Sequence, residues 1–203
     1  TALIGDVLTS NTIAVVGEAY PINMPMITAS ATAAAVTYNA ATQTVYSNVF
    51  RTCFLDPFQG NAVANYMAQQ GVKKVAVLYN NGDAYSTGIA TAFAAEAADK
   101  GLEVVSNTTF PDDTNTDFSV QLADAKNNGA ELVFMPIYYT PASLIFQQAK
   151  AMDYFPKYFG VDGMDGILAL EGFDTSLAEG VMLLTPFNAD ATDDLTVNFS
   201  KKY

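Results

Sequence analysis

Histidine is absent from this 203-residue chain, and cysteine and arginine each occur once, as Cys53 and Arg51. Without histidine, the commonest general base and the commonest metal ligand are both missing. One cysteine excludes an internal disulfide and a thiolate zinc site. Positive charge is scarce: nine basic residues stand against 21 acidic ones, for a net charge of −12. That balance argues against nucleic acid as a partner, because phosphate neutralisation needs clustered Lys and Arg. No apolar run is long enough to span a membrane. GxGxxG, GxxxxGK[ST] and GxSxG are all missing, so the nucleotide and hydrolase fingerprints fail. Together these absences argue against an enzyme, and no cofactor or metal is expected. No signal peptide is visible either. The opening TALIG reads as the end of a buried strand, so the natural N-terminus is expected to lie upstream.

What is present is a large apolar fraction, half of all residues, arranged as short runs alternating with helical periodicity. KKVAVLY (73–79), LEVVSNTTF (102–110), ELVFMPI (131–137), KYFGVDG (157–163) and EGVMLLTPF (179–187) read as strands. Between them, Ile89, Phe93 and Ala97 share a helical face ending at Gly101. Phe118, Leu122 and Ala125 share another, ending at Gly129. Thr140 and Pro141 read as N-cap and first position of a third helix, and a short helix is expected near 165–171. Apolar strands alternating with helices predict a parallel sheet covered on both faces, which binds ligands at the carboxyl ends of its strands. The first fifty residues predict part of a second such sheet. ALIG and MPMITA are strands there, TSNTIAVVGEAY is a capped helix, 38–48 is a polar loop, and VFRTCF is a further strand holding a buried Cys53.

Several stretches carry polar groups that a ligand needs. TSNT (9–12) and SAT (30–32) follow strand ends and carry hydroxyls; each alone reads as a cap or turn. Asp56 before Pro57 reads as an N-cap. Asp162 follows a strand at the ligand-binding edge. DDTNTDFS spaces Asp113, Asn115 and Asp117 like a calcium loop, with Asp124 twelfth. Phe118 stands where that loop needs glycine and the twelfth position lacks Glu, so a solvated helix-capping turn is expected instead.

FRTCFLDPFQG, KKVAVLYNNGDAYSTG, the DFS that opens the 118 helix, YYTPASLIFQQAKAM and FGVDGMDG occur in one order. With them the chain resembles the type I periplasmic solute-binding proteins of the branched-chain amino acid (Leu/Ile/Val) transport family. The resemblance covers essentially the whole chain and implies an α/β, two-lobed type I periplasmic-binding-protein fold. Each lobe is then a doubly wound parallel sheet, and the first lobe is incomplete in this chain, which lacks N-terminal and C-terminal segments. The implied division is 1–55 in the first lobe, 56–185 in the second, and 186–203 returning to the first. The lobes would meet at Cys53–Pro57 and near Thr185–Phe187.

The same resemblance implies a small amino acid held between the lobes. Thr9, Ser10, Ser30 (through backbone) and Thr32 would hold its carboxylate, and Asp56, Tyr85 and Asp162 its ammonium. Tyr138 and Met164 would lie near its side chain. Many relatives carry an aromatic where Met164 stands, and Asn-Pro where Ala33-Ala34 stand. Those departures bear on the ligand's side chain more than on its zwitterionic head. The implied setting is extracytoplasmic, a periplasmic or cell-surface lipoprotein. It would be monomeric and hand its ligand to the membrane permease of an ABC importer. A ligand-binding module of a signalling receptor would look alike, and short amides, urea or small carboxylic acids are alternative ligands. Independently of the resemblance, the one arginine lies within a strand. A carboxylate would thus have to be met by hydroxyls, backbone N–H groups and helix N-termini. Arg51 is expected to anchor the crossing between lobes through a salt bridge or carbonyl contacts, and Asp56 to cap the next helix.

Overall fold

The structure is a computed structural model and describes residues 1–112, 114–188 and 190–202. Its strands fall into two separate parallel sheets. The first contains β1 (Leu3–Ile4), β2 (Met26–Thr28) and β5 (Val49–Arg51) in the order β1-β2-β5. Helix α1 (Thr9–Ala19) connects β1 to β2 and covers one face, where Val16 and Ala19 pack on Met26 and Val49. The register sets Ile4 beside Ile27 and Ile27 beside Phe50, so these three share the opposite face. There they are 88%, 37% and 55% exposed.

The second sheet holds β6 (Lys74–Asn80), β7 (Glu103–Phe110), β8 (Leu132–Met135), β9 (Lys157–Gly160) and β10 (Met182–Leu183) in the order β10-β9-β8-β6-β7. Alternation along its strands assigns side chains to two cores. Val75, Val77, Leu132 and Phe134 pack with Val63, Met67, Ile89 and Phe93, from helices α2 (Asp56–Gln69) and α3 (Ala84–Asp99). Ala76, Leu78, Val133 and Met135 pack with Leu122, Ala125, Ile145 and Phe146, from α4 (Ser119–Asn127) and α5 (Tyr139–Ala151). Helices thus cover both faces, as continuous apolar strands require. Gly60 on α2 lets α3 approach closely: a Cβ there would lie 2.6 Å from Ile89 O and Phe93 N. The last element, α6 (Asp194–Lys202), buries no residue.

Several local expectations are corrected. Residues 38–48 contain an antiparallel hairpin, β3 (Tyr38–Asn39) with β4 (Thr44–Val45), turned by Asn39 Oδ1 accepting from Ala41 and Thr42 N–H. Its strands are too short and polar to show alternation. The short helix expected near 165–171 is a 3-10 turn, Ile167–Ala169, flanked by two more at Asp162–Met164 and Thr175–Ala178, with Gly166 at φ +91 before it. Cys53 lies beyond the end of β5 and is half-buried, because the chain has already turned towards α2.

The caps also differ from expectation. Asp56 is the first residue of α2, with Leu55 at the N-cap and no side-chain cap bond, and its carboxyl points inward. At α1 the cap is Leu8, again without a side-chain bond. At α5 it is Tyr138, which puts Pro141 third in the helix. A first-turn proline is tolerated there because that N–H has no partner within the helix. At α4 the cap is Phe118, without a side-chain bond, and Asp117 just before it accepts from Ser119 N–H at 2.9 Å. Asp113 of the calcium-like stretch lies outside the described residues, and among those described no acidic cluster could hold a metal.

Candidate functional site

A cavity of about 220 Å³ opens where carboxyl ends of strands from both sheets converge. From the first sheet, the turn after β1 brings Val7, Leu8 and Thr9, and the turn after β2 brings Ser30. From the second, Tyr85 follows β6, Tyr138 follows β8, and Asp162 and Gly163 follow β9. The strand order reverses between β6 and β8, which makes Tyr85 and Tyr138 the flanks of a topological switch point, where doubly wound sheets bind ligands. Four other hollows are larger. Two, of about 380 and 360 Å³ around Phe155 and Tyr158, lie at the amino ends of the strands. One of about 450 Å³ lies beside Tyr66 and Phe159, and one of about 270 Å³ beside Ile167.

One wall of the cavity is phenolic and acidic. The Tyr85 and Tyr138 rings stack with centroids 5.1 Å apart and planes at 18°. Tyr85 Oη donates to Asp162 Oδ1 at 2.5 Å and accepts from Gly163 N–H at 2.8 Å. Burial and the neighbouring carboxylate push the Tyr85 hydroxyl well above its usual range, so it is a neutral donor. Burial likewise raises the Asp162 carboxyl, opposed by its bonds to Tyr85 and Gly163. Gly163 is required: a Cβ there would sit 2.8 Å from both Tyr138 Cδ1 and Tyr85 Oη.

The opposite wall is neutral and rich in donors. Thr9 is the first residue of α1, so the N–H groups of the first turn point into this end of the molecule without partners within the helix. Ser30 Oγ donates to Val7 O at 2.8 Å, and Thr28 Oγ1 donates to Asp6 O at 2.7 Å, which ties the two turns together. Arg51 fixes the 31–33 segment from behind. Its guanidinium donates to Ala31 O at 2.9 Å, Ala33 O at 2.8 Å and Thr37 Oγ1 at 2.6 Å. Of the two anchors expected for Arg51, carbonyl contacts are the ones made.

Six of the nine residues expected to hold a ligand line or adjoin this cavity. Thr9, Ser30, Tyr85, Tyr138 and Asp162 line it, and Ser10 lies beside it, with Oγ donating to Asp83 Oδ1 at 3.0 Å across the two sheets. Thr32 and Asp56 are fully buried outside its lining. Asp56 N–H donates to Thr32 O at 3.1 Å. Met164 is also fully buried, packed in the core against Gly160, where a Cβ would lie 2.6 Å from its sulfur. Sequence reasoning missed Gly163 and Gln59. Gly163 was legible only as the glycine after Asp162. Gln59, fully buried one turn after Asp56, carried no signal.

Known proteins resemble the chain along its length. The family described as periplasmic binding protein matches residues 1–203. A leucine-, isoleucine-, valine-, threonine- and alanine-binding protein of Pseudomonas aeruginosa is 27% identical over 163 residues, 79% of this chain and 41% of its own. A leucine-binding protein from Thermotoga maritima superposes with a TM-score of 0.87 at 28% identity, covering 100% of this chain and 56% of that one. A branched-chain amino acid transporter substrate-binding protein from Streptococcus pneumoniae, in complex with isoleucine, gives 0.81 at 27%, covering 100% and 57%. The chain therefore spans less than half of that curated relative and little more than half of the two solved chains.

Proposed function

The chain belongs to the periplasmic binding protein family, and from that premise we propose that it binds a small amino acid, branched-chain or related, between its two sheets. The observation that carries this is the polarity of one cavity. Its Tyr85–Asp162 wall suits an ammonium, and its Thr9–Ser30 wall, at the N-terminus of α1, suits a carboxylate. Arg51 is committed to carbonyl groups, so the anion is held by neutral donors. The stacked tyrosines offer an apolar face to a side chain of modest size. On this reading residues 1–55 belong to the first lobe, 56–185 to the second, and 186–203 return to the first. Handing the ligand to the permease of an ABC importer, outside the cytoplasm and as a monomer, is the role this reading assigns; a lipid anchor belongs to the same reading.

Calorimetric titration of the intact protein with the twenty amino acids tests it. Binding of leucine, isoleucine or valine is expected, with the corresponding amides binding far more weakly. Equal binding of amide and acid would overturn the carboxylate assignment and put short amides first.

A further inference from the structure

Behind the Asp162 wall lies a buried polar cluster that neither the cavity nor the fold accounts for. Thr32, Asp56 and Gln59 are 0%, 2% and 0% exposed. Thr32 Oγ1, Asp56 Oδ1 and both amide atoms of Gln59 are buried without a hydrogen-bond partner. Buried polar atoms are almost always satisfied, so several in one place mark a site completed by something else. Asp56 and Gln59 are three apart on α2 and share a face. The backbone of α3 presses on the carboxyl at Gly88, where a Cβ would lie 3.0 Å from Asp56 Oδ2.

The charges around Asp56 give it no lasting counter-ion. Asp162, after β9, and Asp83, before α3, are both acidic and both raise its carboxyl. Arg51 on β5 lowers it, but that guanidinium already serves three acceptors. Cys53 beside it is a thiol that burial pushes up, and the Tyr85 hydroxyl is neutral and bonded to Asp162. The Thr32 hydroxyl pulls Asp56 down without completing a hydrogen bond. Burial dominates and holds the Asp56 carboxyl at about 7.

We propose that Asp56, with Thr32 and Gln59, is a positioning cluster that holds a proton while the cavity is free and releases it when a cationic head group settles on Asp162. The proposal rests on the reading of the cavity as an ammonium site. The step is a single ionisation: the Asp56 O–H bond breaks, its electron pair stays on the carboxylate, and the proton passes to solvent. The new carboxylate then adds its negative charge to that of Asp162, which already acts on it. Gln59 lies close enough to Asp162 to lower its carboxyl, and it stands three residues from Asp56 on α2. A nearby cation favours the charged form of Asp56, and by reciprocity a charged Asp56 favours the cation.

L-leucine is the probe, since it stays a zwitterion from about pH 6 to pH 8. Titrations in two buffers of different ionisation heat count the protons exchanged. Near pH 7, release of roughly half a proton per leucine is expected, with affinity rising about tenfold from pH 6 to pH 8. In Asp56→Asn the release should vanish and the pH profile should flatten. Leucine binding by the unmutated protein with no proton released overturns the proposal and leaves the cavity reading intact. A pH slope that persists in Asp56→Asn also overturns it. If none of the twenty amino acids binds at any pH, the cavity reading fails and takes the proposal with it. Should the variant fail to fold, the proton count on the unmutated protein decides alone.

Discussion

Two carboxyls in this molecule are separated by what touches them. Asp162 faces the cavity and is bonded to a phenol, so a variant that removes it should lose the ligand while keeping the fold. For Asp162→Ala a loss of about 2–5 kcal/mol in binding is expected, roughly 30-fold to several thousand-fold in affinity. Titration of a folded variant, checked by a melting curve, reads it, and unchanged affinity would move the ammonium elsewhere. Asp56 bears on stability. Its carboxyl is held at about 7 against a usual 3.8, so between those values the folded state binds more protons than the unfolded state. Stability is therefore highest at the acid end of that window and falls as pH rises towards neutrality. The full effect is at most about 4 kcal/mol, from roughly three pKa units at 1.36 kcal/mol each. Asp162, also raised, adds with the same sign. The exposed Asp112, Asp117, Asp174 and Asp193 are lowered, act in the opposite direction and are screened by solvent. Urea unfolding of ligand-free Asp56→Asn at pH 5 and pH 8 should show the variant gaining on the parent only at the higher pH.

At the scale of elements, alternation made the second sheet legible. Val75, Val77, Ala76 and Leu78 divide between two cores as their positions along β6 require. The capping residues were not legible. Asp56 and Pro57 carry every local sign of an N-cap and first helical position, yet α3 packed against α2 draws the carboxyl inward and leaves Leu55 at the cap. The site divided in the same way. Strand ends placed Tyr85, Tyr138 and Asp162 together, whereas Met164 went to the core because a 3-10 turn folds it back over Gly160. Two variants test the packing that settled these outcomes. Gly60→Ala forces a methyl into the α3 backbone and is expected to destabilise by about 1–3 kcal/mol, as overpacking does. A denaturation midpoint unchanged from the parent's would show that the helices can part without penalty. Arg51→Met strips the 31–33 segment of two donated bonds and Thr37 of a third. It should weaken ligand binding by about 1.5–3 kcal/mol, provided that this segment is what the guanidinium holds in place.

Across the whole molecule, like charge dominates. With a net charge of −12, the ion pairs found among the described residues are two: Glu96 with Lys100, and Lys150 with Asp174, each at 3.3 Å and partly exposed. Such pairs contribute about 0–1 kcal/mol each, so the uncompensated repulsion between acids outweighs them. Raising ionic strength from about 0.01 M to 0.15 M shortens the screening length from roughly 30 Å to 8 Å, and the melting temperature should rise. A fall would mean that the few attractive pairs prevail over the many repulsive ones.

The row formed by Ile4, Ile27 and Phe50 also has a consequence in time. The three residues sit side by side on adjacent strands, and no described element covers their face. While this chain refolds, the strip is open to the same strip on other copies, and collisions through it compete with folding. Phe50→Thr should therefore raise the yield of refolding at high protein concentration while leaving the unfolding midpoint where it was.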